Sequence, residues 1–213
     1  MVTQCLFGFI ALCFFTALSQ GKNYISRKDA FFLRLALFLT MLADFSMLFF
    51  SSNIAGVIIF CFVQISYNLR YGAKRKTAVI AAVAAFAIAV VVVTASSAMF
   101  ASVEMRKLII FLALPSLIYC GLFASSLFHA VKAFRQRKYP RPNGALVIFG
   151  MFSFAICDIN VALYQLTNYK LILNAAWFFY APAQIALALS AIRFKGPSRA
   201  VKLKNFRQNG RSV

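Results

Sequence analysis

Acidic residues are scarce in this chain of 213 residues, which has four Asp and Glu against 23 Lys and Arg. It contains one histidine, which excludes a metal site built from several histidines. The five cysteines form neither a CxxC pair nor a metal-ligand spacing, so they indicate small buried apolar side chains. We therefore predict that the protein uses no metal and no organic cofactor.

Long polar stretches are also missing, since 62% of the residues are hydrophobic and 25 are Phe. A soluble domain of this length does not need so much apolar surface, so most of the chain is predicted to lie in lipid. A segment in lipid must satisfy its own backbone hydrogen bonds, which favours helices. The run 79–93 lacks the alternation typical of a barrel strand. The predicted fold class is an all-α, polytopic transmembrane helical bundle.

Seven spans are predicted, separated by short stretches with turn-forming or charged residues. They run over approximately 2–20, 30–50, 53–71, 77–99, 108–131, 144–166 and 171–193. Residues 1–193 then form a single transmembrane domain, and 194–213 form a basic tail. The first segment has no basic start and no small-residue cleavage site, so we expect a retained helix and not a signal peptide.

The basic residues are distributed unevenly between the two ends of these spans. All except Arg106, Lys107 and Lys170 fall after the first, third or fifth span, at the start of the second, or in the tail. This positive-inside pattern predicts an outer N-terminus and a cytoplasmic C-terminus. It also explains the net charge of +19 without nucleic acid, and it predicts attraction of the inner face to anionic lipid headgroups.

Two acids, Asp44 and Asp158, lie inside apolar spans, whereas Asp29 and Glu104 are expected in loops beside basic residues. An ionised carboxylate at the centre of a spanning helix costs about 2.5–3.5 kcal/mol or more, so such residues usually have a function or a partner. Asp44 lies as far from Ala30 as Asp158 lies from Gly144, and both spans run in the same direction. We therefore expect the two carboxyl groups at similar depth.

Several short motifs occur in the order of a known family, and the chain resembles the YhhN family of lysoplasmalogenase-like membrane proteins. The motifs are LADFSMLF (42–49), GVIIFCFVQISY (56–67), LIYCGLFASSL (117–127), GALVIFGMFSFAICD (144–158) and WFFYAPAQ (177–184). The positions that match the family pattern are Asp44, Gly56, Phe60, Tyr67, Gly144, Ala145, Asp158, Tyr180, Ala183 and Gln184.

The chain also departs from the family pattern. Ala43 stands in place of a Gly, Met47-Leu48 reverses a Leu-Met pair, Gln64 replaces a His, and Cys157 replaces a Ser. The family typically has eight helices, one more at the N-terminal side than is predicted here. Because a glutamine cannot titrate near neutrality, a proton-carrying role of the family histidine would be lost at Gln64.

The resemblance implies hydrolysis of the vinyl ether bond of a lysoplasmalogen, which gives a fatty aldehyde and a glycerophospho-headgroup. That reaction needs a general acid to protonate carbon and a negative charge to stabilise the resulting cation, and Asp44 and Asp158 are the catalytic candidates. The candidates for supporting the carboxyl groups, the water or the substrate are Gln64, Tyr67, Asn160, Tyr180 and Gln184. A rise of about 1.5 Å per residue places Tyr180 near the carboxyl groups, and Gln64, Tyr67 and Gln184 nearer the inner face.

Other functions fit parts of the same pattern. Asp44 and Asp158 can be structural, each satisfied by a neighbour such as Ser46 or Tyr164, in a catalytically silent family member. They can also form the relay of a small proton- or cation-coupled transporter. Seven spans alone suggest a receptor only by analogy of fold. The expected partner is a lipid substrate, in a multi-pass protein of a plasma or inner membrane, and the sequence leaves the oligomeric state open.

Overall fold

The computed structural model describes residues 2–19, 23–50, 53–74 and 103–194, together with 76–77, 80, 83–84, 86–88, 90–91 and 94. For residues 2–8 and 103–112 the structure describes the backbone and not the side chains. Within these ranges the chain is helical and has no strands. The helices are α1 (Val2–Ser19), α2 (Arg27–Phe49), α3 (Asn53–Tyr71), α5 (Val103–Arg135), α6 (Arg141–Thr167) and α7 (Lys170–Leu189). The described residues between 76 and 94 are helical too and are called α4.

Five helical segments in the described part are long and apolar enough to cross a membrane. They are α2, α3, Ala113–Arg135 of α5, α6 and α7. Large apolar side chains on these helices remain exposed, including Phe62, Phe128, Phe149 and Phe178. Such surfaces are stable where lipid surrounds the bundle. The protein is therefore a membrane protein, and the predicted all-α helical bundle is confirmed; the direction in which it crosses the membrane stays a prediction.

The predicted span boundaries agree with the helices to within a few residues, and 53–71 coincides with α3. Much of the predicted span 77–99 and nearly all of the tail, 195–213, lie outside the described residues. Two expectations about the acids are wrong. Asp29 lies in the first turn of α2, and Glu104 lies within α5, so neither residue is in a loop.

The helices pack as a closed ring in the order α1, α2, α3, α5, α6, α7, with α7 returning to α1. The pairs α2–α3 and α6–α7 have the closest packing, and α2 also meets α7 directly. Gly150 permits the approach of α6 to α7, because a Cβ there would lie 2.7 Å from Cγ of Leu187 and 3.2 Å from the Ala183 carbonyl oxygen.

The start of α2 is joined to the end of α7 by backbone hydrogen bonds. Tyr24 and Ile192 form an isolated antiparallel bridge, and the Ile25 amide donates to the Ala191 carbonyl oxygen at 3.1 Å. The same end of the bundle holds the end of α3, the end of α5 and the start of α6. We call it the basic end, because Lys28, Lys138 and other cationic residues lie there.

Candidate active site in the bundle interior

The first carboxyl group, that of Asp44, is held by a tyrosine from another helix. Tyr180 of α7 donates its hydroxyl hydrogen to Oδ2 of Asp44 on α2 at 2.6 Å. Tyr180 is 3% exposed, while Asp44 is only partly buried. The contact depends on the direct meeting of α2 and α7, and it agrees with the depth predicted for Tyr180.

The second carboxyl group has the same arrangement with a different helix. Tyr119 of α5 donates its hydroxyl hydrogen to Oδ2 of Asp158 on α6 at 2.5 Å. The partners of the two acids are therefore Tyr180 and Tyr119, in place of the neighbours Ser46 and Tyr164 suggested by the sequence. Tyr119 was missed because the pattern on α5 carries no signal that shows which face of that helix meets α6.

The two carboxyl groups lie close enough to influence each other electrostatically. Asp158 acts on Asp44, and Cys157 lies within range of both acids. Like charges in a medium of low polarity repel each other, which disfavours the state in which both acids are ionised. The structure thus brings together Asp44 and Asp158, which the sequence placed at one depth.

Aromatic rings surround the two tyrosines. Phe60 packs against Tyr119 with ring centroids 6.0 Å apart and against Phe154 at 6.1 Å. Phe154 in turn packs against Tyr180 at 5.9 Å, and Trp177 also contacts Tyr180 at 5.9 Å. The carboxyl pair therefore has an apolar wall contributed by α3, α6 and α7, which suits a hydrocarbon chain.

Gln64 joins α3 to α5 beside this pair. Ser126 donates to its Oε1 at 2.6 Å, and the side chain is 0% exposed. Its Nε2 lies near the Tyr119 hydroxyl, but without the geometry of a hydrogen bond to any described group. A buried donor left unpaired costs about 1–3 kcal/mol, and in native proteins such a donor often binds ordered water.

Asn68 extends the same polar seam by one helical turn and was not predicted as a site residue. Its Nδ2 donates to the carbonyl oxygens of Gln64, at 2.9 Å, and Leu122, at 3.2 Å, while Ser125 donates to its Oδ1 at 2.9 Å. The available signal was its spacing, since residues four apart share a helix face. Asn68 fixes the packing of α3 against α5 and so positions Gln64.

Three further predicted residues have different surroundings. Tyr67 is buried and stacks on Tyr71 with ring centroids 5.8 Å apart, and neither hydroxyl has a hydrogen-bond partner among the described residues. Gln184 is 1% exposed, and its Oε1 also lacks a described partner. Asn160 donates to the Ile156 carbonyl oxygen of its own helix at 2.7 Å, so its amide is not directed to either carboxyl group.

A second buried polar cluster lies at the basic end. Arg70 forms a bidentate ion pair with Asp29, with both N–O distances 3.1 Å, and donates to Oγ of Ser190 at 2.7 Å. The Tyr139 hydroxyl donates to Asp29 Oδ1 at 2.6 Å. Asn143 donates to the Ser190 carbonyl oxygen at 2.9 Å. Arg70 lies near the end of α3 and is 2% exposed, although it is charged.

Comparison with known families identifies the chain. The YhhN family matches residues 2–191, which is nearly the whole sequence. The protein belongs to the YhhN family. No curated protein and no solved structure matches it. The predicted resemblance is therefore confirmed at the level of the family.

The matched YhhN positions converge in space. Asp44, Asp158 and Tyr180, which come from three helices, meet at the carboxyl pair. Gln64, the position of the expected YhhN histidine, is directly beside Tyr119 and is fully buried. No group of three or more His, Cys, Asp or Glu residues that could hold a metal ion is found among the described residues.

Proposed function

We propose that this YhhN protein is a membrane-embedded hydrolase that cleaves the vinyl ether bond of lysoplasmalogen-type lipids. The observation that carries the proposal is the pair of Asp44 and Asp158, each fixed by one tyrosine hydroxyl and within electrostatic range of the other. A structural role needs no such pair, whereas acid-catalysed hydrolysis needs both a proton donor and an anion.

The first chemical step uses the carboxyl group that holds the proton. That group protonates the outer carbon of the carbon–carbon double bond, and the electrons of the double bond form the new C–H bond. The positive charge then spreads over the inner carbon and the ether oxygen, as in glycoside hydrolysis. The second carboxyl group is ionised and stabilises this cation across a short distance in a medium of low polarity.

Water completes the reaction. It adds to the cationic carbon and gives one proton to the second carboxylate. The product of this addition is a hemiacetal. The carboxyl group protonated in that step then gives its proton to the ether oxygen, while the hemiacetal hydroxyl gives its proton to the other carboxylate. The C–O bond breaks, and a fatty aldehyde and a glycerophospho-headgroup with a free hydroxyl are released. One water is consumed, and the pair of Asp44 and Asp158 returns to its starting protonation.

The tyrosines orient the carboxyl groups for these steps. Tyr119 and Tyr180 donate to Oδ2 of their partners, which leaves Oδ1 of each acid available to the substrate or the water. Fixed donors of this kind reduce the reorganisation needed during the reaction. The wall of Phe60, Phe154 and Trp177 accommodates the alkenyl chain of the lipid.

A series of unpaired buried polar atoms provides a route for water along α3. Nε2 of Gln64 and the hydroxyls of Tyr67 and Tyr71 follow one face of α3 from the Tyr119 side toward the basic end. Each of these groups can bind water, and together they connect the carboxyl pair with the end of the bundle.

The test is release of fatty aldehyde from a lysoplasmalogen by the purified protein in detergent. Asp44→Asn and Asp158→Asn should each reduce the rate to the background, while both variants keep the melting temperature of a folded protein. The matched substrate control is the saturated alkyl ether lysolipid, which has no double bond to protonate and should give no aldehyde. Folded protein that releases no aldehyde from ethanolamine and choline lysoplasmalogens would refute the proposal.

The unpaired atoms along α3 also favour a second candidate, a proton- or cation-coupled transporter. In that case the groups from Gln64 to Tyr71 form a conducting path, and the Asp pair is the relay. Proteoliposomes with an internal pH-sensitive dye distinguish the two functions. A proton flux that requires Asp44, with no aldehyde release, would replace the hydrolase by the transporter.

A further inference from the structure

A cavity of about 120 Å³ lies at the basic end, between the start of α2, the end of α3 and the connection from α5 to α6. Its lining is Ile25, Ser26, Lys28, Asp29, Leu69, Arg70, Lys138 and Tyr139. From the charges and geometry of this lining we propose that the cavity binds a phosphate group. The proposal concerns a second site and does not depend on the hydrolase function.

The floor of the cavity is buried and electrically balanced. The Asp29 carboxylate is paired with Arg70 through both of its oxygens and also accepts a hydrogen bond from Tyr139. Burial raises the pKa of the Tyr139 phenol, so Tyr139 remains a neutral donor. Because Arg70 compensates Asp29, this acid does not repel an incoming anion with a full charge. Nη1 of Arg70 has no described partner and adds an unused donor to the floor.

The lining of the cavity carries three cations, Lys28, Arg70 and Lys138, and one carboxylate, Asp29. Lys28 and Lys138 are both exposed and line the same opening. Partial burial of the ammonium group lowers the pKa of Lys138, and the charge of Asp29 acts in the opposite direction. The charges of Lys28 and Arg70 lower this pKa further. The neighbouring cations therefore repel one another, and an anion between them relieves that repulsion.

Lys138 is positioned by the end of α3. Its Nζ donates to the Arg70 carbonyl oxygen at 3.0 Å. Gly72 has φ of +100°, and a Cβ at that position would lie 2.9 Å from Nζ of Lys138. The absence of a side chain at Gly72 therefore permits both the turn and the close approach of the ammonium group. The lysine is thus held at the cavity, as expected for a built binding site.

The first turn of α2 also favours an anion in the cavity. Its N-cap residue, Ser26, makes no side-chain capping hydrogen bond, so the first backbone N–H groups of α2 keep their partial positive charge beside the cavity. A phosphate group satisfies such N–H groups and pairs with lysine and arginine at once. Basic pockets between transmembrane helices commonly bind anionic lipid headgroups in this way.

The cavity is separate from the carboxyl pair. Asp29 and Asp44 lie on the same helix, and a rise of about 1.5 Å per residue separates them by roughly 22 Å. That length exceeds the distance between the phosphate and the vinyl ether in one lysolipid. A single substrate molecule therefore does not occupy both the cavity and the carboxyl pair. The ligand is therefore a second molecule, either an anionic phospholipid or a free phosphate species.

The experiment measures binding of a short-chain phosphatidylglycerol to the full chain in a non-ionic detergent, by isothermal titration. The test variant is Lys28→Gln with Lys138→Gln, and the matched control is Lys132→Gln with Arg135→Gln. The control removes the same charge from exposed residues of the last turn of α5, outside the cavity. We expect at least tenfold weaker binding in the test variant, and an unchanged affinity in the control.

Two further measurements identify the ligand and test the cavity without removing either lysine. Competition by inorganic phosphate would identify a free phosphate species as a ligand, and phosphatidylglycerol binding without such competition would identify the lipid headgroup. Ser26→Glu keeps both lysines but introduces an anion at the rim, and it should weaken binding as well. Equal loss of affinity in the test and control variants, or no binding by wild-type protein, would overturn the proposal.

Discussion

Tyr180 donates its hydroxyl hydrogen to Oδ2 of Asp44 at 2.6 Å, although 136 residues separate them in the sequence. Asp158 and Tyr119 form the same contact across α5 and α6. Each acid in the bundle interior is thus held by a phenol from another helix. The arrangement fixes the direction of both carboxyl groups and ties four helices to one site.

Removal of either phenol should reduce catalysis and leave the fold intact. Tyr180→Phe and Tyr119→Phe delete one hydrogen bond to a carboxyl group, which contributes about 1.5–3 kcal/mol when the acceptor is charged. We expect kcat/KM for aldehyde release to fall by about tenfold to a hundredfold in each variant. Tyr169→Phe, on an exposed ring, is the control and should keep wild-type kcat/KM. Unchanged rates in both test variants would remove the phenols from the mechanism.

Gln64 is the position where a titratable group should have the largest effect on rate. Gln64→His places an imidazole beside Tyr119 and Asp158, and it restores the residue expected in the YhhN family. An imidazole exchanges protons near neutrality, so we expect faster aldehyde release and a new dependence of kcat on pH between about 5 and 8.

The control for that substitution is Gln64→Asn, which keeps an amide and adds no titratable group. Its pH profile should follow that of the wild-type protein, with a lower melting temperature because Ser126 loses its acceptor. A Gln64→His profile identical to that of Gln64→Asn would show that residue 64 does not exchange protons with the site.

The Asp29–Arg70 pair should dominate the stability of the basic end. Asp29→Asn leaves the Arg70 guanidinium buried without its counter-charge, and breaking a buried ion pair in this way costs about 3–5 kcal/mol. We expect a strongly lowered melting temperature in detergent. The control Arg27→Gln changes an exposed charge in the same turn of α2 and should have little effect.

The double variant Asp29→Asn with Arg70→Met tests whether the cost of Asp29→Asn comes from the unpaired charge of Arg70. Because both charges are removed together, its loss of melting temperature should be smaller than that of Asp29→Asn. An equal or larger loss would show that the hydrogen bond of Arg70 to Ser190, and not the ion pair, holds this end of the bundle.

Gly150 tests the packing of α6 against α7. A Cβ at this position meets Leu187 and the Ala183 carbonyl oxygen, and the backbone oxygen cannot move aside without displacing α7. Gly150→Ala should therefore lower the free energy of unfolding by about 1–3 kcal/mol, as overpacked cores usually do. Because Tyr180 lies on α7, kcat/KM should fall as well, which can be measured by aldehyde release at a temperature where the variant is folded. A wild-type melting temperature would show that α6 and α7 are further apart.

The helices were predictable because their cause is local. Backbone groups in lipid must bond within their own segment, so an apolar run such as 53–71 becomes a helix with almost those bounds. The common depth of Asp44 and Tyr180 followed from the same regular rise along each helix. Family membership was also predictable from the sequence, because the motifs that indicate it are short and contiguous.

The partners of the polar residues were decided by tertiary structure. Depth along a helix does not specify which face meets a neighbour, so Tyr119 as the partner of Asp158 was not predictable from its own helix. Arg70 and Asp29 look like ordinary charges of a cytoplasmic face, yet the ring of helices buries both and makes them partners. The sequence by itself determined the helices and the level of Asp44 relative to Tyr180, because these depend on local hydrogen bonding and hydrophobicity. The tertiary structure alone decided which side chains meet, because that depends on how the helices rotate and pack around the ring.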